Sequence, residues 1–137
     1  MDHKKLVEEA IKGREKSYSP YSKFKVGAAV LTKNGTVFRG CNVENASYGL
    51  TNCAERTALF KMVSEGEREV AAIAIVADTG DDVCAPCGAC RQVIYEFGDD
   101  IDVIMANLKG KMQVVKSSEI LNFAFGPKSL GIDVTKA

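Results

Sequence analysis

Histidine is almost absent from this chain: one residue, His3, in 137. A transition-metal centre here therefore has to rest on sulfur and carboxylate rather than on a histidine cluster. An excess of positive charge is missing as well, because 18 Lys and Arg balance 18 Asp and Glu. Binders of polymeric nucleic acid usually carry a basic excess or stripe, so a polynucleotide substrate or partner is disfavoured. No apolar run approaches the ~20 residues that span a bilayer, which predicts a protein without a membrane segment. The opening MDHKKLVEEAIKG mixes acids with lysines and has no apolar h-region, so it does not read as a secretory signal. The expected compartment is the cytoplasm, where five cysteines read as reduced thiols or metal ligands; their odd number also argues against a complete disulfide framework. Repeats, low-complexity tracts and linkers are absent, and the length suits one domain over residues 1–137.

What is present is a regular alternation of element signals. Leu6, Val7, Ala10 and Ile11 have helical spacing over Asp2 to about Lys16. KVGAAVLT and TVFRGCNV read as strands joined by Lys33-Asn34-Gly35, a hairpin signal. Asn52 as N-cap and Gly66 as stop predict a helix from about Cys53 to Glu65. EVAAIAIVAD is a short continuous apolar run, as in a central strand covered on both faces. Gly88 to Phe97 reads as a helix stopped by Gly98, IDVIMAN and KMQVVKS as two more strands, and SSEILNFAF as a closing helical stretch. Together these predict an α/β fold, a three-layer α/β/α sandwich around a five-stranded mixed sheet.

Five cysteines fall unevenly. Cys84, Cys87 and Cys90 stand three apart in CAPCGACRQ, and Cys53 opens the preceding helix in CAERTA. Both segments fall at strand-to-helix junctions, where open α/β sheets place ligands. Cys87 and Cys90, three apart at a helix start, share one face and can grip one ion together. A C-x-x-C at a helix start is also a redox dithiol pattern, although the aromatic expected before it is absent. A structural zinc module closed by Cys84 as fourth ligand is a third reading, and it would shut the position that water needs.

The pair of signatures Cys53-Ala54-Glu55 and Pro86-Cys87-Gly88-Ala89-Cys90 follows the pattern of zinc nucleobase deaminases, in the variant with three cysteines. The chain resembles the cytidine deaminase family, in its small homotetrameric nucleoside-acting branch, through GCNVENASYG, CAERTA, PCGACRQV and the late FGP, from about Ser19 to Pro127. The resemblance implies one Zn²⁺ per subunit on Cys53, Cys87 and Cys90, and hydrolytic deamination of cytidine and 2′-deoxycytidine. Zinc-bound hydroxide would attack C4 while Glu55 shuttles the protons. Three thiolates on Zn²⁺ leave a net negative charge that works against acidifying water. The helix N-termini offset it, and so does an arginine hydrogen bond to sulfur, with Arg56 and Arg91 each on a ligand's helical face.

Other roles follow from the resemblance one residue at a time. Phe24 would pack on the pyrimidine, while Asn42 and Glu44 would bind sugar hydroxyls. The backbone at Ala54 would meet the pyrimidine O2, and the Ala85 carbonyl the leaving amine. Ala46, Tyr48 and Phe125 match positions near a neighbouring subunit's site, in a homotetramer whose sites are shared between subunits. Asn122 stands where the family often has proline before FGP. Cys84 and Cys41 read as small hydrophobes near the core. Within the same chemistry, a deaminase of a cytosine-bearing antibiotic nucleoside is the nearest rival; the sugar-binding NVENASYG favours the ordinary nucleoside.

Overall fold

The computed structural model describes all residues, 1–137. It contains helix α1 (His3–Arg14), strands β1 (Val26–Thr32) and β2 (Val37–Cys41), helix α2 (Ala54–Ser64) and strand β3 (Val70–Ala77), followed by helix α3 (Gly88–Glu96) and strands β4 (Asp102–Asn107) and β5 (Met112–Lys116). The five strands form one sheet in the order β2-β1-β3-β4-β5. Every pair is antiparallel except β3 with β4, so the sheet is mixed, as its pattern predicts. α3 is the crossover that a parallel pair requires.

Strand alternation sorts the layers. Ala29, Ala72, Ala74, Val76, Ile104 and Ala106 point to one face and pack with Leu6 and Ala10 of α1. Ala28, Val30, Ile73, Ile75, Val103 and Met105 point to the other, against Ala58, Leu59 and Met62 of α2 and Ile94 of α3. The alanine-rich face lets α1 lie close to the sheet. The same economy of size positions α2. A Cβ on Gly40 would stand 2.5 Å from both the Ala54 carbonyl oxygen and the Ala58 nitrogen, so only glycine admits the first turn of α2 onto β2.

Helix α3 starts at Gly88 as the sequence suggests, whereas α2 starts one residue later than expected, at Ala54. Asn52 is not the N-cap of α2. Its backbone exchanges two 2.9 Å hydrogen bonds with Val43, and Cys53 takes the cap position with extended φ/ψ of −73° and 156°. Cys87 caps α3 in the same way, at −68° and 167°. Neither cysteine uses its side chain to cap, so both sulfurs stay free beside a helix N-terminus.

The stretch SSEILNFAF is not helical. Ser117 and Ser118 donate their backbone N–H groups to Ile101 and Asp99, and the Ser117 hydroxyl donates to the Gly98 carbonyl. Those bonds tie the segment to the sheet end. Phe123 then sits at φ +52°, a left-handed conformation no helix continues through. The chain closes instead with two short 3₁₀ turns, Pro127–Leu130 and Val134–Lys136. Cys41, expected near the core, is only half-buried at the end of β2, with its sulfur 3.4 Å from the Lys16 carbonyl.

Candidate metal centre and binding cleft

The end of the sheet marked by Cys41, Val26, Ala77 and Asn107 gathers the cysteine-bearing segments. Asn107, buried at the end of β4, donates from Nδ2 to the Gly80 and Asp82 carbonyls at 3.0 and 3.2 Å. Cys84 donates its backbone N–H to Ala106 at 3.1 Å. These bonds moor the loop that delivers Cys87, and nothing in the sequence around Asn107 announces that task.

The sulfurs of Cys53, Cys87 and Cys90 all lie within 4.8 Å of one another, and Cys53 and Cys87 are 3.8 Å apart. Zinc–sulfur bonds near 2.3 Å in a tetrahedron require a sulfur–sulfur edge of about 3.8 Å. The donor set therefore fits a zinc ion with three protein ligands and a fourth corner free. Cys84 is not among the grouped sulfurs. It is buried within the hydrophobic cluster under α2, where burial pushes its thiol up to about 11. A closed four-cysteine site is not formed.

The three thiols interact strongly. Hydrogen bonding from Cys90, then from Arg56 and Cys87, holds Cys53 down at about 5, while Cys90 is pushed up by that same bond and by burial. The shared hydrogen bond thus favours thiolate on Cys53 over thiolate on Cys90. Arg56 Nη2 donates to the Cys53 sulfur at 3.3 Å, and the bond keeps the guanidinium firmly protonated. Arg91 is employed differently. Its Nε donates to the Pro86 carbonyl at 2.8 Å and its Nη1 to the Ile120 carbonyl at 3.1 Å. It holds two loops together rather than bonding to sulfur.

Glu55, in the first turn of α2, is 3% exposed. Burial pushes its carboxyl up to about 7, with the negative charge on Cys53 adding to the effect. A carboxyl in reach of the Cys90 and Cys53 thiols and shielded from bulk water can carry protons locally. Ala54 is buried beside it, and Ala85 lies exposed in the loop before Pro86.

A second set of residues converges in the loop between α1 and β1. Asn42 is buried; its Nδ2 donates to the Phe24 carbonyl at 2.8 Å, and its Oδ1 accepts from the Val26 N–H at 3.0 Å and from the Ser17 hydroxyl. Glu44 Oε1 accepts from the backbone N–H groups of Tyr21 and Ser22 at 2.9 and 3.1 Å, and Oε2 from the Ser22 hydroxyl. The Ser22 hydroxyl bond leads the interactions that hold the Glu44 carboxyl below its ordinary range. Phe24 is 43% exposed, with its ring available to a partner. Ala46 is exposed, Tyr48 is 76% exposed and meets Tyr21 edge-on at 6.1 Å, and Phe125 is 62% exposed.

With this geometry in place, comparison with known proteins is specific. Residues 1–106 match the family model described as the cytidine and deoxycytidylate deaminase zinc-binding region. A cytidine deaminase of Halalkalibacterium halodurans is 60% identical, over 91% of this chain and 95% of its own. One from Sporosarcina psychrophila is 52% identical, over 95% and 96%. The crystal structure of a cytidine deaminase from Burkholderia pseudomallei superposes with a TM-score of 0.89 at 54% identity, covering 91% of this chain and all of that one.

Proposed function

The chain belongs to the cytidine and deoxycytidylate deaminase family, and on that premise we propose that it hydrolyses cytidine and 2′-deoxycytidine to the uridine nucleosides and ammonia, in pyrimidine salvage. The observation that carries the reading is the buried Glu55 carboxyl beside three thiols drawn together at two helix N-termini. Cys53, Cys87 and Cys90 would hold a zinc ion, which when bound would supply the Lewis acidity that makes water a nucleophile near neutral pH. Glu55 takes one proton from water and delivers it to ring N3. It then takes the second, from the hydroxyl now on C4, and delivers it to the departing amine, so that the water oxygen becomes the C4 carbonyl of uracil and the amine leaves as ammonia. Arg56 balances the thiolate charge from the Cys53 side.

Substrate orientation rests on the second cluster. A carboxylate offers about four lone-pair sites, and an amide two donors and two acceptors. Three protein donors already engage Glu44, leaving one acceptor site. Asn42 has both acceptor positions filled and one donor used, leaving one donor. One free acceptor and one free donor suit a single sugar hydroxyl, which supports accepting both ribose and 2′-deoxyribose. Phe24 packs on the pyrimidine, the Ala54 backbone meets O2 and the Ala85 carbonyl faces the amine.

The whole of residues 1–137 acts as one deaminase domain, in the cytoplasm and as a homotetramer. Exposed Tyr48, Leu50, Phe123 and Phe125 support the assembly, because apolar side chains this exposed ask for cover. In it, Ala46, Tyr48 and Phe125 complete a neighbour's site. No helix is long and apolar enough to cross a membrane.

The test follows ultraviolet absorbance of cytidine with and without a zinc chelator, then with cytosine and CMP. Turnover of the nucleoside, lost on chelation, is expected. Glu55→Gln is expected to keep zinc and lose about 10²- to 10⁴-fold in kcat. Near-normal turnover by zinc-loaded Glu55→Gln protein would overturn the mechanism.

A further inference from the structure

Ser22 carries no role in the function described so far, yet it touches both halves of the binding cleft. Its hydroxyl donates to Glu44 Oε2 and accepts the Phe24 backbone N–H at 3.0 Å. Its own backbone N–H donates to Glu44 Oε1 at 3.1 Å. On the other side of Phe24, the carbonyl accepts from Asn42 Nδ2 at 2.8 Å. The Phe24 backbone is therefore gripped at its N–H through Ser22 and Glu44, and at its carbonyl by Asn42. The two side chains proposed to bind the sugar are the ones that fix the aromatic proposed to bind the base.

The residue between Ser22 and Phe24 sharpens the point. Lys23 lies at φ +62°, a left-handed conformation unfavourable for a non-glycine residue. It persists where its surroundings hold it. The Lys23 N–H is caught by the Ser19 carbonyl at 3.0 Å, and the next N–H, that of Phe24, by the Ser22 hydroxyl. Removing that hydroxyl takes a partner from the Phe24 N–H and from Oε2 of Glu44 together.

We propose that Ser22 is a positioning residue whose hydroxyl locks Glu44 and Phe24 into one frame, so that sugar recognition and base stacking are coupled. The inference rests on the nucleoside deaminase reading. It goes beyond it by making discrimination for the sugar hydroxyl depend on a residue that touches no substrate. In wild type, a sugar hydroxyl meets a carboxylate whose direction is already set. In Ser22→Ala protein, Glu44 and Phe24 reorient independently and part of the binding free energy is lost to ordering them.

The experiment measures kcat and KM for cytidine and for 2′,3′-dideoxycytidine, which lacks the 2′ and 3′ hydroxyls, in wild type, Ser22→Ala, Ser22→Thr, Glu44→Gln and Ser22→Ala/Glu44→Gln proteins. Ser22→Ala is expected to raise KM for cytidine about tenfold with kcat within about twofold. Its preference for cytidine over the dideoxynucleoside should shrink about fivefold or more, with Ser22→Thr restoring it. The loss in the double variant should match that of Glu44→Gln alone, since both changes remove one interaction. Unchanged sugar discrimination in Ser22→Ala, or full additivity with Glu44→Gln, overturns the proposal. Amide hydrogen exchange at Phe24 gives a readout independent of turnover: faster exchange in Ser22→Ala but not in Ser22→Thr is expected, and unchanged exchange in Ser22→Ala overturns the lock. A wild-type protein that leaves cytidine untouched would sink the functional reading, while the exchange measurement would still decide the lock.

Discussion

Arg56 and Cys53 share one turn at the start of α2, and the guanidinium Nη2 stands 3.3 Å from the thiol sulfur. The Nε of the same arginine is buried without a hydrogen-bond partner. An arginine nitrogen left in that state is costly, and it persists where the rest of the guanidinium has a strong anionic partner. The charge on Cys53 is that partner. The geometry thus separates two arginines that look equivalent along the chain, since Arg91 is taken up by the carbonyls of Pro86 and Ile120.

Replacing Arg56 by Gln keeps a donor near the sulfur but removes the positive charge. Three thiolates on a zinc ion then carry a net negative charge in a half-buried site that only the two helix N-termini offset. Partners of metal ligands typically change metal affinity by about 10- to 100-fold when removed. Arg56→Gln protein is expected to lose zinc to a competing chelator at least tenfold more readily, while Arg91→Gln shows little change. Equal retention in the two variants would disprove the assignment.

Cys84→Ala separates a catalytic centre from a closed structural one. Its sulfur lies in the apolar cluster beneath α2, away from the three grouped thiols. The variant is expected to bind one zinc per chain and to unfold a few degrees lower, from a small cavity worth about 1 kcal/mol. Cys53→Ala, by contrast, is expected to bind zinc poorly. Metal analysis alongside thermal unfolding checks both, and loss of zinc from the Cys84 variant would restore the closed-site reading.

Much of this arrangement is legible in the chain because periodicity and turn residues agree with it. The alternation of Ala28, Ala29 and Val30, or of Ile73, Ala74 and Ile75, already distributes side chains between two faces. Gly35 and Gly66 adopt the positive φ values, 95° and 91°, that a hairpin turn and a helix stop ask of them. What stays hidden depends on where distant segments run. Arg91 has the spacing to reach Cys87, but its carbonyl partners include Ile120, from a stretch that reads as helical and is not. Ser117 has the look of a helix start until its hydroxyl is found bonding to Gly98. Ser22 acts through the carboxylate of Glu44, and Asn107 through the Gly80 and Asp82 carbonyls, all from distant segments, and no local pattern encodes such partners.

Gly40 links the sheet to the metal centre through sterics alone. A methyl group there would press on the Ala54 carbonyl and the Ala58 nitrogen, both backbone atoms of α2 that cannot swing aside. The helix has to shift outward, and Cys53, its N-cap, shifts with it. Gly40→Ala is expected to cost about 1–3 kcal/mol, a fall of several degrees in Tm, and to weaken zinc retention as the Cys53–Cys87 spacing opens. Thermal unfolding and zinc titration check this together. A variant with unchanged Tm would show that α2 does not depend on the close approach.

Asp102, at the start of β4, is the acid-sensitive tie between α1 and the sheet. Its carboxylate meets Lys116 Nζ at 2.7 Å and His3 Nε2 at 3.1 Å, and Lys116 also reaches Asp100 at 3.3 Å. The Lys116 bond, then the His3 bond, holds the Asp102 carboxyl below its ordinary range. A depressed folded-state pKa means the unfolded chain binds the proton more readily, so the contribution is full above the unfolded value near ~3.9 and fades as pH falls through the folded one. Because the pair is partly solvated, its worth is that of a surface ion pair, about 1 kcal/mol or less, and salt reduces it. Asp102→Asn protein should therefore melt a few degrees below wild type at pH 7 in low salt. The gap should close as pH drops below about 3. A gap that stays constant down to that pH would mean that the Asp102 carboxylate contributes shape rather than charge.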